Sequence, residues 1–272
     1  MTNRAPAAAK INLALVVGPL RRDGKHEIAT VYQRVTLCDR VAVEPAEALQ
    51  VDGFADDTLV RAALEQLGAT AGIEPNWRAR IWKQIPVAGG LGGGSSDAAT
   101  ALRLANAMLP EPLPSGPLEQ LAAELGADIP FFLRNGPQLG TGDGTELAPL
   151  DLPQDYWIAL VLEGEKPSTG SVYRAFDERA GADGFDERRA RLLDTLAGVR
   201  RARDLAALPP NDLASSTLAD ELRARGAFRA DVSGAGPTVY GLFHHRTAAE
   251  AAVAALAAPG RRAWIAAPAW YV

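Results

Sequence analysis

Residues 89–94 read GGLGGG, so five of the chain's 26 glycines fall within six positions, and two serines then lead into a run of helix formers. Without a Cβ, a glycine backbone can approach a ligand closely and adopt φ > 0. Successive amides in such a loop can turn inward to form a concave anion site. Ser96 or Asp97 is placed to cap a helix running through Ala98, Ala99, Ala101, Leu102, Leu104, Ala105 and Met108. The start of that helix would aim unsatisfied amides and roughly half a positive charge at whatever the loop holds. Polyphosphate fits that description. A flexible linker does not, because it would not run straight into an Ala/Leu helix.

Two common phosphate loops are excluded. The pattern G-x-x-x-x-G-K-S/T needs a lysine, and none stands between Lys83 and Lys166. The dinucleotide pattern G-x-G-x-x-G ends in glycine, whereas Gly90-Leu91-Gly92-Gly93-Gly94-Ser95 ends in serine.

A chain of 272 residues can bury one large core or two ordinary ones. With 47% hydrophobic and 22% charged residues it reads as globular. A net charge of −5 leaves no electrostatic footprint for nucleic acid or an anionic membrane. No stretch approaches the ~20 apolar residues of a membrane span, and the first residues lack a signal-peptide core. The single cysteine, Cys38, cannot form an internal disulfide; it reads as a small buried hydrophobe on a strand in a reducing, cytoplasmic setting.

Strands are expected from the alternation of Ile11, Leu13, Leu15 and Val17, and at residues 32–37, 41–43, 78–83, 129–133, around Leu139, 157–162, 238–243 and 263–267. Helices are expected at 57–71, from the glycine loop to about Met108, at 118–125, in the arginine-rich stretch 186–207 and at 248–257. This mixture gives α+β (α/β two-layer) as the class. Composition shifts near residues 149–155, which divides the chain into 1–152 and 153–272.

Lys10 and Asp128 are the first candidates for chemistry. The chain has four lysines against 24 arginines, and Lys10 stands between Ala7-Ala8-Ala9 and the first strand's apolar face. Such a lysine can simply snorkel to water. Asp128, between a helix stop and the apolar run IPFFL, can equally be a turn aspartate bonded to its own backbone. The arginines 188, 189, 191, 200, 201 and 203 read as solvated helix faces because acids are interspersed among them. The tryptophans 77, 82, 157, 264 and 270 read as core or strand-edge packing.

Three segments together resemble one family. PVAGGLGGGSSDAA (86–99) resembles the second motif of the GHMP kinases, which include galactokinase, homoserine kinase and mevalonate kinase. APAAAKINLAL (5–15) resembles their first motif and DVSGAGPTVYGLF (231–243) their third. The resemblance covers nearly the whole chain. The triple glycine with paired serines, DGKHE (23–27) after AKINL, and LGADIPFFL (125–133) resemble the branch acting on a cytidine diphosphate-linked methylerythritol.

The resemblance implies a two-domain GHMP kinase fold with its site in the cleft between domains. It implies ATP and Mg²⁺, with metal ligands unspecified, and a small-molecule substrate, with no nucleic acid or membrane partner, in a monomer or homodimer. Nucleotide would lie on Pro86, Val87, Ala88, Gly89, Gly90, Leu91, Gly92, Gly93, Gly94, Ser95 and Ser96. Lys10 matches the family's catalytic lysine and Asp128 its general base, a weak base that relies on positioning. Asn12, His26, Thr169 and Tyr173 match substrate-contacting positions. His26 would bond the cytosine edge from a polar turn, and Tyr173 would stack on the base. Where the family usually has tyrosine before the histidine, this chain has Lys25, which offers no π face. Another small-molecule kinase of the family, for homoserine or a sugar, is the alternative. A nucleotide sensor without catalysis is a further one, and retention of both Lys10 and Asp128 argues against it. Pro209-Pro210-Asn211-Asp212-Leu213 also resembles a family segment, with no physical role evident from the residues alone.

Overall fold

Two long strands organise the first half. β1 (Asn3–Leu20) and β2 (His26–Pro45) pair antiparallel from Asn3 opposite Val43 to Leu20 opposite His26. A computed structural model describes residues 3–164 and 168–269 of the chain. The far edge of β2 is shared by β5 (Gln138–Thr141) near its start and β4 (Trp77–Trp82) near its end. β3 (Gln50–Asp52) and β6 (Glu146–Pro149) flank these to complete six strands. The pairing slips between Ala8 and Lys10 and again between Asn12 and Ala14. Such bulges re-aim the side chains beside them.

One face of this sheet carries α1 (Leu59–Ala71), α2 (Gly93–Asn106), α3 (Ser115–Leu125) and α4 (Ile129–Leu133). The second half is a four-stranded sheet ordered β10-β7-β9-β8, all antiparallel. Its strands are β7 (Trp157–Glu163), β8 (Arg229–Val232), β9 (Thr238–Phe243) and β10 (Arg261–Ala266). Around it lie α5 (Thr169–Glu178), α6 (Phe185–Gly198), a 3₁₀ turn (Ala202–Ala207), α7 (Thr217–Ala224) and α8 (Arg246–Ala255). The architecture is α+β.

The two sheets share a core. Ile11, Leu13 and Val16 of β1 pack in one cluster with Ile158 and Leu160 of β7, Tyr240 and Leu242 of β9, and Leu205 of the 3₁₀ turn. Consequently β1 is buried without interruption from Ala9 to Val17 rather than on alternate residues. Strands covered on both faces read as continuous apolar runs.

Four expectations are corrected. Residues 129–133 form a helix, not a strand: Pro130 sits in its first turn, where its preset φ suits a helix and its missing N–H costs nothing. A short apolar run does not distinguish a strand from a buried helix. The helix behind the glycine loop starts at Gly93, so Ser96 and Asp97 lie inside its first turn and cap nothing; Gly92, at φ 68°, takes the cap position. Cys38 is on β2 as expected but only half-buried.

Arg188 is not a solvated side chain either. It pairs with Asp212 at 3.1 Å and donates to the carbonyls of Val17 at 3.0 Å and Gly181 at 2.8 Å. Trp77 is buried, whereas Trp82 stands exposed with Arg4 and Arg80 against its ring. Trp270 lies outside the described residues.

Because one core serves both sheets, the halves should unfold together. Leu160→Ala, in the middle of that core, should cost about 2–5 kcal/mol. Denaturant unfolding followed by fluorescence and by circular dichroism should move as one transition; two separated transitions would contradict the shared core.

Candidate active site

The glycine loop leaves β4 and is pinned from both sides. The Lys10 amide donates to the Leu91 carbonyl at 2.9 Å, tying β1 to the loop. The Ser233 hydroxyl donates to the Gly90 carbonyl at 3.0 Å and the Thr238 amide to the Gly89 carbonyl at 3.3 Å. The glycine turn after β8 therefore lies directly on the loop. Gly90 has φ 77°, and a Cβ there would lie 2.6 Å from the Ser233 carbonyl oxygen and 2.7 Å from that of Gly236. At Gly92 a Cβ would lie 2.9 Å from the Phe132 ring and 3.0 Å from the Lys10 side chain. No side chain fits at either position.

Residues 86–95 all line a cavity of about 530 Å³, together with Lys10, Asn12, Tyr32, Lys83, Asp128, Asp143, Thr169 and Tyr173. Ser96 does not: its side chain is buried in the first turn of α2, where its amide bonds Gly92. The amides of Gly93, Gly94 and Ser95 are the ones left without an intrahelical partner at this helix start. That end suits phosphate.

Lys10 and Asp128 meet in the cavity, Nζ to Oδ2, at 3.3 Å. Lys10 and Asn12, two residues apart in a regular stretch of β1 between its bulges, share one face, and the ammonium donates to Asn12 Oδ1 at 2.8 Å. Asn12 in turn donates to Thr30 Oγ1 at 2.8 Å, and Thr30 to the Ala14 carbonyl at 2.8 Å. Each member fixes the next, so a buried ammonium has its direction set. The Tyr32 ring, 5.3 Å below that ammonium, adds a π face. Burial, and then the Asp128 charge, push the Tyr32 hydroxyl well above its usual range. The same two causes push Tyr173 up to about 12.

His26 is placed differently from a residue in a polar turn. It is buried at the start of β2, its Nδ1–H donates to the Gly18 carbonyl at 2.8 Å, and Nε2 faces Asp177 at 3.5 Å. Tyr173 stacks on its ring with centroids 4.9 Å apart and Phe176 meets its edge. Tyr173 and Thr169, both on α5, line the cavity, and His26 lies behind Tyr173. Lys25 reaches across to Asp143, 2.5 Å away, joining the β1–β2 turn to the β5–β6 turn. Although partial burial opposes it, the hydrogen bonds from Lys25 and Thr145 hold the Asp143 carboxyl below the usual range.

Several residues here have roles that their local sequence did not disclose. Asn211 donates to the carbonyls of Val232 at 2.9 Å and Gly234 at 2.6 Å, and Asp212 accepts from the Val17 amide at 2.9 Å. The segment thus staples β1 to the glycine turn, which supplies the role its residues alone did not suggest. Lys83 bridges two buried carboxylates, Asp39 at 2.5 Å and Asp97 at 2.7 Å. Asp39 also accepts from the Gln84 and Ile85 amides, holding the chain where it enters the loop. Burial is the larger cause, and Asp39 the second, that push Asp97 up to about 7; its Oδ1 has no partner. Burial works against the Lys83 charge, but attraction to Asp97 and Asp39 prevails and raises it. The scarcity of lysines was the one available clue to Lys83.

Residues 58–136 match the family model described as GHMP kinases N terminal domain, and residues 187–262 match GHMP kinases C terminal. The chain is 40% identical over 277 residues to a 4-diphosphocytidyl-2-C-methyl-D-erythritol kinase of Rhodococcus jostii, covering 94% of this chain and 88% of the relative. A protein of the same name from Streptomyces avermitilis is 38% identical, with 96% and 93% covered. A crystal structure of 4-(cytidine 5'-diphospho)-2C-methyl-D-erythritol kinase superposes with a TM-score of 0.75 at 32% identity, over 98% of this chain and 99% of that one. A mevalonate kinase structure reaches the same TM-score at 13% identity, over 98% and 99%, which speaks to fold alone.

The Asp97 shift has a sign that can be measured. An ordinary aspartate in the unfolded chain releases its proton near pH 4, whereas the folded protein holds it to about 7. The folded state therefore binds more protons in that window, and wild-type stability should fall as pH rises through it. Lys83 does not titrate in that range. Asp97→Asn removes the effect, so urea unfolding should show it gaining at least about 1 kcal/mol on the wild type between pH 5 and pH 8. A constant difference would contradict the assignment.

Proposed function

This chain belongs to the GHMP kinase family, and we propose that it transfers the γ-phosphoryl group of ATP to the 2-hydroxyl of 4-diphosphocytidyl-2-C-methyl-D-erythritol, in the non-mevalonate route to isoprenoid precursors. The observation that carries the reading is the Lys10–Asp128 pair, 3.3 Å apart in one cavity with the glycine loop. The relatives of 38–40% identity over almost the whole chain support the choice of substrate.

Phosphoryl transfer asks a protein mainly for positioning and charge stabilisation. Loop amides and the start of α2 would hold the nucleotide's phosphates. Among the described residues no group of three His, Cys, Asp or Glu side chains could cage a metal. A magnesium ion carried in on the nucleotide's own phosphates, as the family resemblance implies, would neutralise charge there. The alcohol oxygen bonds the γ-phosphorus as the bond to the β–γ bridging oxygen breaks, ADP leaves, and the hydroxyl proton passes to an Asp128 oxygen. Lys10 orients that carboxylate and favours the developing alkoxide. Asn12 holds Lys10 on the acceptor side, where Thr169 and Tyr173 line the wall.

The division at residues 152 and 153, a cytoplasmic setting and a monomeric or homodimeric state belong to the same proposal. Among the described residues no helix is long and apolar enough to cross a membrane.

An ADP-release assay should show turnover with the cytidine diphosphate-linked alcohol and none with homoserine, mevalonate or galactose. Lys10→Met and Asp128→Asn should each lower kcat on the order of 10²-fold or more. Their double mutant should fall far short of the product of the two losses. Near-wild-type turnover in either single mutant would sink the assignment. At high ionic strength, where the Asp143 charge that the substitution uncovers is screened, Lys25→Tyr should lower KM for the cytidine substrate at unchanged KM for ATP, and Tyr173→Ala should raise it, since a stacked base contributes about 1–3 kcal/mol. Unchanged KM in both would leave the kinase but remove this substrate.

A further inference from the structure

α4 is five residues long, too short to hold its place by its own hydrogen bonds. Yet Asp128 precedes its first residue, so the position of this helix sets the distance from base to acceptor. Phe131 is buried against Tyr32, ring centroids 5.0 Å apart, and the Phe132 ring abuts Gly92. The far end is gripped by Arg34. Its guanidinium donates to the Phe131 carbonyl at 3.2 Å and the Arg134 carbonyl at 2.8 Å, where a helix end concentrates partial negative charge. It also lies 5.2 Å from the Phe131 ring.

Arg34 is Lys10's direct partner across the β1–β2 ladder. Cross-strand partners project from the same face of a sheet. One register position therefore sends a lysine to the aspartate before α4 and an arginine to the carbonyls after it. Burial, and then the nearby Arg103 charge, lower Arg34 to about 10, which leaves it charged at neutral pH.

We infer that Arg34 is a positioning residue for phosphoryl transfer, holding α4 so that Asp128 stays in register with Lys10. The inference rests on the proposed role of Asp128 as base. Arg34 lies outside the cavity lining, so nucleotide binding should not depend on it.

The test is a cycle of Arg34→Gln and Arg34→Lys, each in the wild-type and the Asp128→Asn background, reading kcat and KM for ATP separately. In the wild-type background Arg34→Gln should lower kcat about 10–100-fold, the scale of a small misplacement of a reacting group. KM for ATP should stay within about 2-fold. Both bonds leave one nitrogen, Nη2, so Arg34→Lys keeps the charge and a donor without the planar guanidinium and should recover part of the rate. In the Asp128→Asn background neither substitution should lower kcat further. Equal losses in both backgrounds, or a KM for ATP rising in step with the fall in kcat, would overturn the inference and mark Arg34 as merely structural. Should Arg34→Gln fail to fold, Arg34→Lys carries the same cycle with the same opposed outcomes. Near-wild-type turnover of Asp128→Asn alone would remove the base assignment, and this role for Arg34 with it.

Discussion

Taking an ammonium out of water costs on the order of several kcal/mol unless charge and hydrogen bonds replace the lost hydration. Lys10 is 5% exposed, and what compensates it comes from three separate stretches of the chain. Asp128 comes from the segment before α4, Asn12 from two residues further along β1 itself, and the Tyr32 ring from β2. The backbone of the same residue bonds Leu91 in the glycine loop. A single residue thus ties strand, Asp128 and glycine loop together, its ammonium holding the aspartate and its amide the loop. Arg34 repeats the arrangement one strand away, at the other end of the same short helix.

The second half of the chain reaches the site through the shared core. Tyr240 donates from β9 to the Leu13 carbonyl of β1 at 3.1 Å, and Arg229 holds the Tyr240 hydroxyl at 3.0 Å. Asn211 then fastens the turn after β8, whose carbonyls press on Gly90. The glycine-rich segments near residues 90 and 234 are therefore two surfaces of one contact. Glycine at Gly90 is demanded from two directions: φ 77° excludes a β-branched residue, and the facing carbonyls exclude any side chain.

Legibility in the sequence followed the range of the physics. The glycine loop and the helix behind it were readable because glycine spacing and helix propensity are local properties. Lys10 and Asp128 were readable only as a pattern, since 118 residues of chain separate two groups that touch. Where local rules competed, the reading failed. The run IPFFL satisfies a strand by apolarity and a helix by the position of its proline, and only packing on the sheet decides. Ser96 and Asp97 have the chemistry of caps but lie four and five residues past Gly92, which takes the left-handed bend at the cap position. His26 was misplaced since its neighbours in sequence are polar while its neighbours in space, Tyr173 and Phe176, come from α5. Asn211 acts wholly through long-range backbone bonds, which no local pattern announces.

Lys25 shows how a departure from a family pattern can be read physically. Its side chain is half exposed, and an ion pair of that kind contributes only about 0–1 kcal/mol to stability. Holding the fold together is therefore not what the pair with Asp143 chiefly does. Asp143 lines the same cavity as Asp128, so without Lys25 that cavity would present two carboxylates to its occupant. For a substrate bearing a diphosphate, the second carboxylate would be repulsive. Lys25 cancels it at 2.5 Å. The chain thereby gives up the stacking surface a tyrosine would offer and gains a neutral wall beside an anionic ligand. Lys25→Tyr consequently changes two terms at once, adding a ring and uncovering a charge. The rise of KM with falling ionic strength distinguishes them, because stacking is insensitive to salt and an exposed carboxylate is not.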